Sequence, residues 1–389
     1  MRTEVLIIGG GPSGLLLSQL LHTKGIDSIV LERRTKDYVL GRIRAGVLEQ
    51  GTVGLLEKAG VAEKLHSEGI PHQGTLVAAD GESFRIDFQK LTDQSVMVYG
   101  QTEVTRDLYA ARDRSGGKIE FEVEDVALHD IETDRPYATF RQNKIARRVD
   151  CAFIAGCDGF HGVSRGAIPH DRRRTFEKTY PFGWLGVLSE TPPVSDEIIY
   201  AQSSAGFALC SMRNRKLSRY YVQCVANDDP DNWSDAAFWD ALRQRLPKEF
   251  AETLVTGPAI EKSIAPLRSF VTEPMRYGRL FLCGDAAHIV PPTGAKGLNL
   301  AASDVHYLFD GLCTWYLHDD PTGLDNYSDK ALARVWKAER FSWWFSTLMH
   351  RFPDQSPFDL RMQRAELAFL QSNEAAQKAM AENYIGLPY

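Results

Sequence analysis

The run Glu4-Val5-Leu6-Ile7-Ile8-Gly9-Gly10-Gly11-Pro12-Ser13-Gly14 opens the chain and decides the fold. Its first half is a short apolar segment typical of a buried strand, and a helical pattern over residues 15–21 follows its second half. Gly9, Gly11 and Gly14 occupy the positions of a G-x-G-x-x-G loop, which permits a tight turn, close approach of a pyrophosphate and close helix packing. The run predicts a strand, a turn and a helix that bind a dinucleotide.

A second strand and an acidic residue complete this unit. The apolar run Ser28-Ile29-Val30-Leu31 predicts the strand, and Glu32 follows it directly. An acid about twenty residues after the glycine loop accepts the hydroxyls of a ribose. Residues 4–32 are therefore predicted to form a Rossmann-like βαβ unit.

A second fingerprint lies near residue 285. The apolar residues 279–283 lead into Gly284-Asp285-Ala286-Ala287-His288, and residues 291–299 follow as a loop. A strand that ends in Gly-Asp offers the Asp285 carboxylate to a ribitol or ribose hydroxyl. A helix that begins near Gly297 directs free backbone N–H groups at a flavin ring or phosphate. The two fingerprints together predict a flavin enzyme.

The composition excludes several other classes of protein. The 389 residues can form two or three domains, and the net charge of −6 gives no basic footprint for nucleic acid. The six cysteines form no C-x-x-C pair, which favours reduced core residues over metal ligands or disulfides. The first predicted strand leaves no room for a signal peptide, and no apolar run reaches about 18 residues. We expect a cytoplasmic protein without a metal site, a membrane span or a nucleic-acid partner.

The predicted elements interleave two parts of the chain. We expect an α/β protein with a Rossmann-like FAD-binding domain, an interleaved and mainly β substrate domain, and a helical C-terminal region. Residues 75–150 are strand-rich, and alternating patterns predict a smaller sheet with strands at 182–189, 197–201, 206–213 and 218–225. The predicted boundaries are 1–72, 96–180 and 263–300 for the FAD-binding domain, 73–95 and 181–262 for the substrate domain, and 301–389 for the C-terminal region.

A long helix is predicted over residues 330–352 of the C-terminal region. Its aromatic side chains, Phe341, Trp343, Trp344 and Phe345, follow helical spacing and have few polar neighbours. They are predicted to be core or subunit-interface residues.

Two residue pairs in the smaller sheet are candidates for binding an anion. Ser211 and Arg213 are two residues apart, as are Arg219 and Tyr221, so each pair shares one face of its strand. The polar turn of residues 214–217 would place the pairs on adjacent antiparallel strands. Two guanidiniums on a half-buried sheet need an anion between them, and a planar carboxylate suits a bidentate guanidinium. The alternative is a solvated basic hairpin.

The glycine loop, Cys157-Asp158-Gly159 and Gly284-Asp285 together resemble the single-component FAD aromatic hydroxylases. The resemblance runs from end to end and is closest to the members that hydroxylate 4-hydroxybenzoate at C3. Residues 81–93 depart most from the family's pattern. The stretches that carry the resemblance are Gly41-Arg42-Ile43-Arg44-Ala45-Gly46-Val47-Leu48-Glu49-Gln50, Tyr99-Gly100-Gln101-Thr102-Glu103-Val104-Thr105, Tyr180-Pro181-Phe182-Gly183-Trp184, residues 291–299 and Asn383-Tyr384-Ile385-Gly386-Leu387-Pro388-Tyr389.

The resemblance implies a reaction and its partners. It implies one tight, non-covalent FAD per chain, NADPH and O2 as co-substrates, a small aromatic acid as substrate and a homodimer. The implied reaction converts 4-hydroxybenzoate to 3,4-dihydroxybenzoate (protocatechuate) through a flavin C4a-hydroperoxide, in aromatic catabolism. The hydroperoxide is an electrophile, so the phenolate is the better nucleophile, although a free phenol titrates only at roughly 10.

The resemblance also implies roles for individual residues. Ser211, Arg213 and Tyr221 bind the substrate carboxylate, and Arg219 acts on the flavin and the active-site field. Tyr200 and Tyr384 relay the phenol proton, and His72 leads it to solvent. The backbone of Pro292 faces the substrate hydroxyl, and Thr293 faces the oxygen adduct. The implied FAD contacts are Gly9, Gly11, Ser13, Gly14, Glu32, Arg42, Ile43, Arg44, Ala45, Gly46, Val47, Gln101, Asp158, Asp285, Leu298 and Asn299.

The chain has one G-x-G-x-x-G loop, so the nicotinamide cofactor has no Rossmann unit of its own. Arg33 and Arg34 follow Glu32 directly, and two guanidiniums suit a 2′-phosphate better than a bare ribose, which favours NADPH over NADH. The resemblance places NADPH on the surface around Arg33, Arg34, Tyr38, Arg42, Arg44, His161, Arg165 and Arg268.

Two rival functions remain at this point. A hydroxylase of the same fold could act on another aromatic acid such as salicylate, although the set of Ser211, Arg213 and Tyr200 argues against it. A non-catalytic carrier of the same fold, like those that extract prenylated GTPases from membranes, need not keep the fingerprint around Asp285.

Overall fold

The computed structural model describes residues 1–41 and 46–389, and the elements below belong to those ranges. The strands are β1 Val5–Ile8, β2 Ser28–Leu31, β3 Val47–Leu48, β4 Ile70–His72, β5 Gly74–Ala79, β6 Glu82–Asp87, β7 Val96–Val98, β8 Lys118–Glu120, β9 Glu124–His129, β10 Tyr137–Gln142, β11 Ile145–Asp150, β12 Phe153–Gly156, β13 Arg174–Ser189, β14 Ile199–Ser203, β15 Gly206–Asn214, β16 Leu217–Val225, β17 Ala259–Glu273, β18 Arg276–Tyr277, β19 Leu280–Leu282 and β20 His288–Ile289. The helices are α1 Pro12–Thr23, α2 Lys36–Leu40, α3 Gln50–Lys58, α4 Glu63–Glu68, α5 Phe88–Thr92, α6 Gln101–Arg114, α7 Ser164–Ala167, α8 Asp235–Arg243, α9 Lys248–Thr253, α10 Gly297–His318, α11 Thr322–Asp325, α12 Tyr327–Met349, α13 Pro357–Ser372 and α14 Glu374–Ile385.

The nucleotide-binding half is a six-stranded sheet in the order β18-β19-β12-β1-β2-β8. Neighbouring strands from β19 to β8 are parallel, and β18 is antiparallel to β19. Strands β1, β2 and β12 are buried along their whole length, as continuous apolar runs in a parallel sheet require. Helix α1 connects β1 to β2 and packs against α6 and α10. The predicted Rossmann-like unit is confirmed.

The second half is an eight-stranded sheet in the order β20-β17-β13-β16-β15-β14-β5-β6. The predicted strand at 182–189 is the second part of β13, which begins at residue 174 and pairs with β17 along most of its length. The predicted boundaries at 180 and 263 therefore lie inside long strands, and residues 174–179, which were assigned to the FAD-binding domain, pair with β17 within the larger sheet. The division into domains stays a proposal.

The two faces of this larger sheet have different coverings. Side chains of β13 to β16 on one face, such as Tyr220 and Val222, form a core with Phe238 and Trp239 of α8. On the other face, Trp184, Tyr200 and Leu209 pack with residues of α12 and α14. The second face carries the candidate substrate residues.

The helical C-terminal region is present. Phe341 and Phe345 of α12 are buried, as predicted, whereas Trp343 is 46% exposed. Helix α6 interrupts the segment that was expected to be strand-rich. Its buried Val104, Leu108 and Ala111 follow helical spacing.

All six cysteines are free thiols. Within residues 1–41 and 46–389, no helix combines the length and the apolarity that crossing a bilayer requires.

Candidate active site

A cavity of about 540 Å³ opens at the carboxyl ends of β1, β2 and β12. Ligands of open α/β sheets bind at this edge. Eight of the predicted FAD contacts line it: Gly9, Gly11, Ser13, Glu32, Gln101, Asp158, Asp285 and Leu298.

The glycine loop has the geometry that its motif predicts. Gly9 has φ +106°, and a Cβ at this position would lie 2.3 Å from the carbonyl oxygen of Cys157. A Cβ on Gly14 would lie 2.1 Å from the oxygen of Gly9, so helix and loop pack without space for a side chain. Gly11 is different, because a Cβ there would meet no atom within 4 Å and the position borders the cavity. The pyrophosphate of a dinucleotide can therefore approach the backbone at Gly11.

Two helices begin at this cavity without side-chain caps. Helix α1 starts after Gly11, helix α10 starts after Lys296, and neither cap residue binds a backbone N–H through its side chain. The free N–H groups and the helix dipoles give the cavity a preference for anions.

Glu32 is buried at the end of β2 and shapes the loop. One carboxylate oxygen accepts the backbone N–H of Gly10 at 2.7 Å, and the other accepts that of Arg34 at 2.8 Å. The Gly10 carbonyl also accepts the hydroxyl of Tyr109 at 2.8 Å. Glu32 thus holds the loop and still lines the cavity, where its remaining lone pairs can accept a ribose hydroxyl.

Asp285 and Asp158 differ in their surroundings. Asp285 is exposed towards the cavity. Asp158 is held by Ser164, which donates its backbone N–H at 2.9 Å and its hydroxyl at 3.0 Å to one carboxylate oxygen. Burial raises the pKa of Asp158. The other oxygen of Asp158 has no partner among the described residues.

Both the nitrogen and the oxygen of the Asn299 side-chain amide form hydrogen bonds within the protein. Its amide group donates to the carbonyls of Val47 and Ala295, and its oxygen accepts from Glu49 N and the hydroxyl of Thr52. Asn299 therefore attaches residues 47–52 to the start of α10. Gly46 lies next to the start of α6, where a Cβ would be 1.9 Å from the Tyr99 carbonyl oxygen. The predicted contacts of Arg42, Ile43, Arg44 and Ala45 lie outside the described residues.

The predicted NADPH residues fall into two groups. Arg33, Arg34, Tyr38 and His161 line the cavity described above. The guanidinium of Arg34 lies 5.0 Å from the centre of the Tyr38 ring. These side chains form a basic and aromatic rim beside Glu32.

Arg165 and Arg268 form the second group and stack on one aromatic ring. Their guanidinium carbons lie 4.7 and 4.8 Å from the centre of Phe160. Arg165 also donates to the carbonyls of Phe160 and Ala286, and Arg268 lies 3.6 Å from Glu177. The ring of His161 contacts Phe160 edge-on, which connects this group to the cavity rim.

The substrate residues share the second face of the larger sheet. Ser211 lies opposite Arg219 in the register of β15 and β16, and Leu209 lies opposite Tyr221. Tyr200 of β14 lies opposite Leu209, and directly opposed residues share a face. Gly186 of β13 lies opposite Tyr221, and a Cβ there would lie 2.6 Å from the tyrosine ring. The sheet thus presents Ser211, Tyr221 and Tyr200 on one side.

The two arginines of the hairpin have different partners. Arg219 is paired, since it donates to Glu261 at 2.9 Å and to Ser263 at 3.1 Å. Arg213 lies at an irregularity of β15, and no ion pair or side-chain hydrogen bond holds it within the described residues. Burial lowers the pKa of Arg213, because its positive charge is poorly solvated. Arg213 is therefore the guanidinium available to an anion.

The predicted tyrosine pair is in contact. The hydroxyls of Tyr200 and Tyr384 lie 2.9 Å apart, and both side chains are buried. Burial raises the pKa of Tyr384 to about 12, and burial also raises the pKa of Tyr200 well above its ordinary value. His72 of β4 is buried too, burial lowers its pKa, and neither ring nitrogen has a partner in the described ranges. His72 is therefore not hydrogen-bonded to either tyrosine.

Pro292 and Thr293 form a short 3₁₀ turn before α10. Pro292 is exposed, whereas the buried Thr293 shares a hydrogen bond of 2.8 Å with Ser346 of α12. Next to Ser346 in the same helix, Phe345 packs on Tyr200 with 4.7 Å between ring centres. The loop is thus connected to the tyrosine pair through α12.

A buried ion network beside the tyrosine pair was not predicted from the sequence. The carboxylate of Glu49 binds Lys296 at 2.7 Å and Arg334 at 2.9 Å. Lys296 also donates to the backbone carbonyl of Tyr384 at 2.8 Å. The three members of the network are far apart in the chain, so no local pattern marks them as partners, although Glu49 and Lys296 each lie in a stretch that carries the family resemblance.

The comparisons with known proteins agree with this geometry. The family model described as "FAD binding domain" matches residues 2–342. A crystal structure of p-nitrophenol 4-monooxygenase from Pseudomonas putida DLL-E4 has the same fold, with a TM-score of 0.82, 17% identity and full coverage of both chains. The fold and the site define an FAD-dependent aromatic monooxygenase.

Two curated relatives narrow the assignment. The para-nitrophenol 4-monooxygenase of Pseudomonas sp. (strain WBC-3) is 25% identical, over 83% of this chain and 81% of its own. The p-hydroxybenzoate hydroxylase of Acinetobacter baylyi is 56% identical, over 100% of this chain and 96% of its own. The chain belongs to the p-hydroxybenzoate hydroxylase family of FAD-dependent monooxygenases.

Proposed function

We propose that this protein hydroxylates 4-hydroxybenzoate at C3 to give 3,4-dihydroxybenzoate, with FAD as cofactor and NADPH and O2 as co-substrates. The observation that carries the proposal is that a cation and a pair of phenols lie at the second face of the larger sheet. Arg213 has no ion-pair partner among the described residues, and Tyr200 and Tyr384 form a hydrogen-bonded pair. A carboxylate and a phenol are the two polar groups of 4-hydroxybenzoate. The 56% identity to a p-hydroxybenzoate hydroxylase supports the same substrate.

Each end of the substrate has its own residues in this proposal. Arg213 binds the carboxylate, with Ser211 and Tyr221 beside it, and Arg219, whose guanidinium is paired with Glu261, acts on the flavin and the active-site field. Tyr200 binds the phenol oxygen and passes its proton to Tyr384 along their hydrogen bond. His72 then delivers the proton to solvent, and because it is hydrogen-bonded to neither tyrosine, a water would have to connect it to Tyr384. Pro292 and Thr293 face the reacting edge of the ring.

The cavity residues hold the cofactors in this proposal. Glu32 and Asp285 accept hydroxyls of FAD, and the uncapped starts of α1 and α10 face its pyrophosphate and ring. Bound FAD, once reduced, activates O2 and supplies the electrophilic oxygen. Arg33 and Arg34 at the cavity rim support NADPH as the reductant, because two guanidiniums match a 2′-phosphate.

Absorption spectroscopy and product analysis test the proposal. The purified protein should be yellow with one FAD per chain, and 4-hydroxybenzoate should perturb the flavin spectrum. Turnover with NADPH should yield 3,4-dihydroxybenzoate, and salicylate should be a poor substrate. A preference for salicylate would identify the rival hydroxylase, and a colourless protein that binds no added FAD would contradict the proposal.

We also propose a cytoplasmic homodimer. The free cysteines are compatible with a reducing compartment. Phe358, Met362 and Phe369 of α13 are 69%, 47% and 50% exposed, and their spacing places them on one helix face. A second copy of the chain would cover this apolar face. Light scattering should give twice the chain mass, and the double change of Phe358→Glu and Met362→Glu should give a monomer.

A further inference from the structure

The turn that presents Asp285 is held by a carboxylate from another element. Gly284 has φ +61°, and its backbone N–H donates to the Oδ2 atom of Asp304 at 2.8 Å. A side chain at this position has little room, because a Cβ would lie 3.1 Å from both Ser13 Oγ and Ala301 Cβ. The turn is therefore confined between the glycine loop and α10.

The same carboxylate oxygen binds the other end of the turn. His288 Nε2 lies 2.6 Å from Asp304 Oδ2, and both side chains are almost fully buried. Asp304 thus bridges the first and last residues of the segment Gly284-Asp285-Ala286-Ala287-His288. A buried carboxylate that lost its partners would be strongly unfavourable, so this arrangement tolerates little movement.

Asp304 also belongs to the helix that begins at the cavity. It lies two turns into α10, whose first residues, Gly297 and Leu298, line the cavity together with Asp285. One rigid helix therefore fixes both its own N-terminus and the turn that carries Asp285. The separation between these two FAD-facing groups depends on the bonds made by Asp304.

We propose that Asp304 and His288 are positioning residues for FAD, which act by holding the Asp285 turn at a fixed place relative to the start of α10. The inference rests on the FAD site proposed above. Neither residue is among those that line the cavity, so both lie behind the turn and not on its cavity side. Their effect on FAD must pass through Asp285.

The test measures FAD dissociation constants of reconstituted apoprotein. Asp304→Ala should weaken FAD binding about 10-fold or more, because the Gly284 N–H and His288 lose their acceptor. Asp304→Asn keeps an acceptor and should recover most of the affinity. Asp310→Ala is the control, since Asp310 lies on the same helix with an exposed carboxylate and should leave FAD affinity at the parent value.

A double-mutant cycle separates positioning from a general structural role. Asp285→Ala alone should weaken FAD binding, and the double variant with Asp304→Ala should bind FAD within about twofold of Asp285→Ala. If the two losses multiply, or if Asp304→Ala binds FAD like the parent protein, the inference is wrong. A lower melting temperature of the apoprotein without a loss of FAD affinity would also overturn it.

Two further outcomes are distinguishable. If Asp304→Ala does not fold, His288→Leu takes its place in the same cycle, with His288→Gln as the variant that keeps a donor. If the parent protein itself binds no FAD, the proposed function fails. Normal FAD binding by the parent, weak binding by Asp285→Ala and parent-like binding by Asp304→Ala would overturn only this inference.

Discussion

At the scale of single residues, Arg213 should determine affinity for the substrate carboxylate. Arg213→Ala should raise KM for 4-hydroxybenzoate roughly 10- to 100-fold, because a charge-assisted bidentate contact is lost in the ground and transition states alike. Arg213→Lys should restore only part of the affinity, since the planar fork is absent. Steady-state kinetics with a fixed NADPH concentration measures this.

Arg215 provides the matched control for Arg213. It lies in the same hairpin and is exposed, so Arg215→Ala should keep the parent KM. An unchanged KM in Arg213→Ala would mean that the hairpin is a solvated basic surface.

The tyrosine pair should control coupling of NADPH consumption to hydroxylation. Tyr200→Phe and Tyr384→Phe should each bind FAD normally and keep the carboxylate contacts of the substrate, but form less 3,4-dihydroxybenzoate and release more hydrogen peroxide. The double variant should lose much less than the product of the two single effects, because both hydroxyls belong to one relay. The measurement is the ratio of product to NADPH consumed, with peroxide counted separately.

Tyr220→Phe is the control for the pair, since Tyr220 lies on the opposite face of the sheet and packs on Trp239. It should remain fully coupled. Fully coupled and fast single variants at Tyr200 and Tyr384 would show that both residues only pack.

The predictability of a residue depended on whether its partners are near in sequence. The period of a strand predicted a shared face for Ser211 and Arg213, and the register of β15 with β16 brings Arg219 opposite Ser211, whereas Arg213 lies at an irregularity of β15. The pairing of Arg219 with Glu261 could not be predicted, because Glu261 enters from β17. That contact decides which arginine is available to the substrate.

At the scale of elements, two glycines should respond oppositely to the same change. Gly46→Ala should destabilise the protein by about 1–3 kcal/mol and weaken FAD binding, because its Cβ would collide with the backbone at the start of α6. Gly54→Ala, within α3, meets no atom within 4 Å and should stabilise by up to about 1 kcal/mol. Chemical denaturation of both variants measures the two signs. A Gly46→Ala variant as stable as the parent would show that the backbone at residue 46 can move away from the start of α6 at little cost in free energy.

The predicted boundaries match the observed ones best where a short buried apolar run or a glycine marks the end of an element. The predicted strand over residues 28–31 and the predicted helix start at Gly297 match β2 and α10. Strand β13 was predicted only from residue 182, because its first part is mostly exposed and lacks an alternating apolar pattern. Its pairing with β17 holds it in place instead.

At the scale of the whole molecule, the two sheets and their order in the chain could be predicted from the glycine loop, the Gly-Asp turn and the alternating strands. Contacts between residues that are far apart in the sequence could not be predicted. Glu49, Lys296 and Arg334 meet in the folded protein, and Asp304 reaches back to Gly284, but no local period marks any of these pairs. Such contacts depend on how α10 and α12 pack against the sheets.

The pH dependence of stability is a property of the whole molecule to which His350 should contribute measurably. Its Nε2 accepts the indole N–H of Trp184 at 2.7 Å, and its Nδ1–H donates to the Ser346 carbonyl at 2.8 Å, so the buried ring is neutral. Burial lowers the pKa of His350 from 6.5 to about 3. The unfolded chain therefore binds a proton below pH 6.5 that the folded protein does not bind until about pH 3.

Stability should consequently be lost as the pH falls from 6.5, by about 1.4 kcal/mol per pH unit from this residue. His350→Gln should be less stable at pH 7 yet show a shallower decline towards pH 5, with a slope smaller by about one proton. Urea denaturation across this range measures both slopes, and His318→Gln, which removes an exposed histidine from the end of α10, should decline like the parent. Parallel curves for His350→Gln and the parent would mean that His350 takes up its proton as readily in the folded protein as in the unfolded chain.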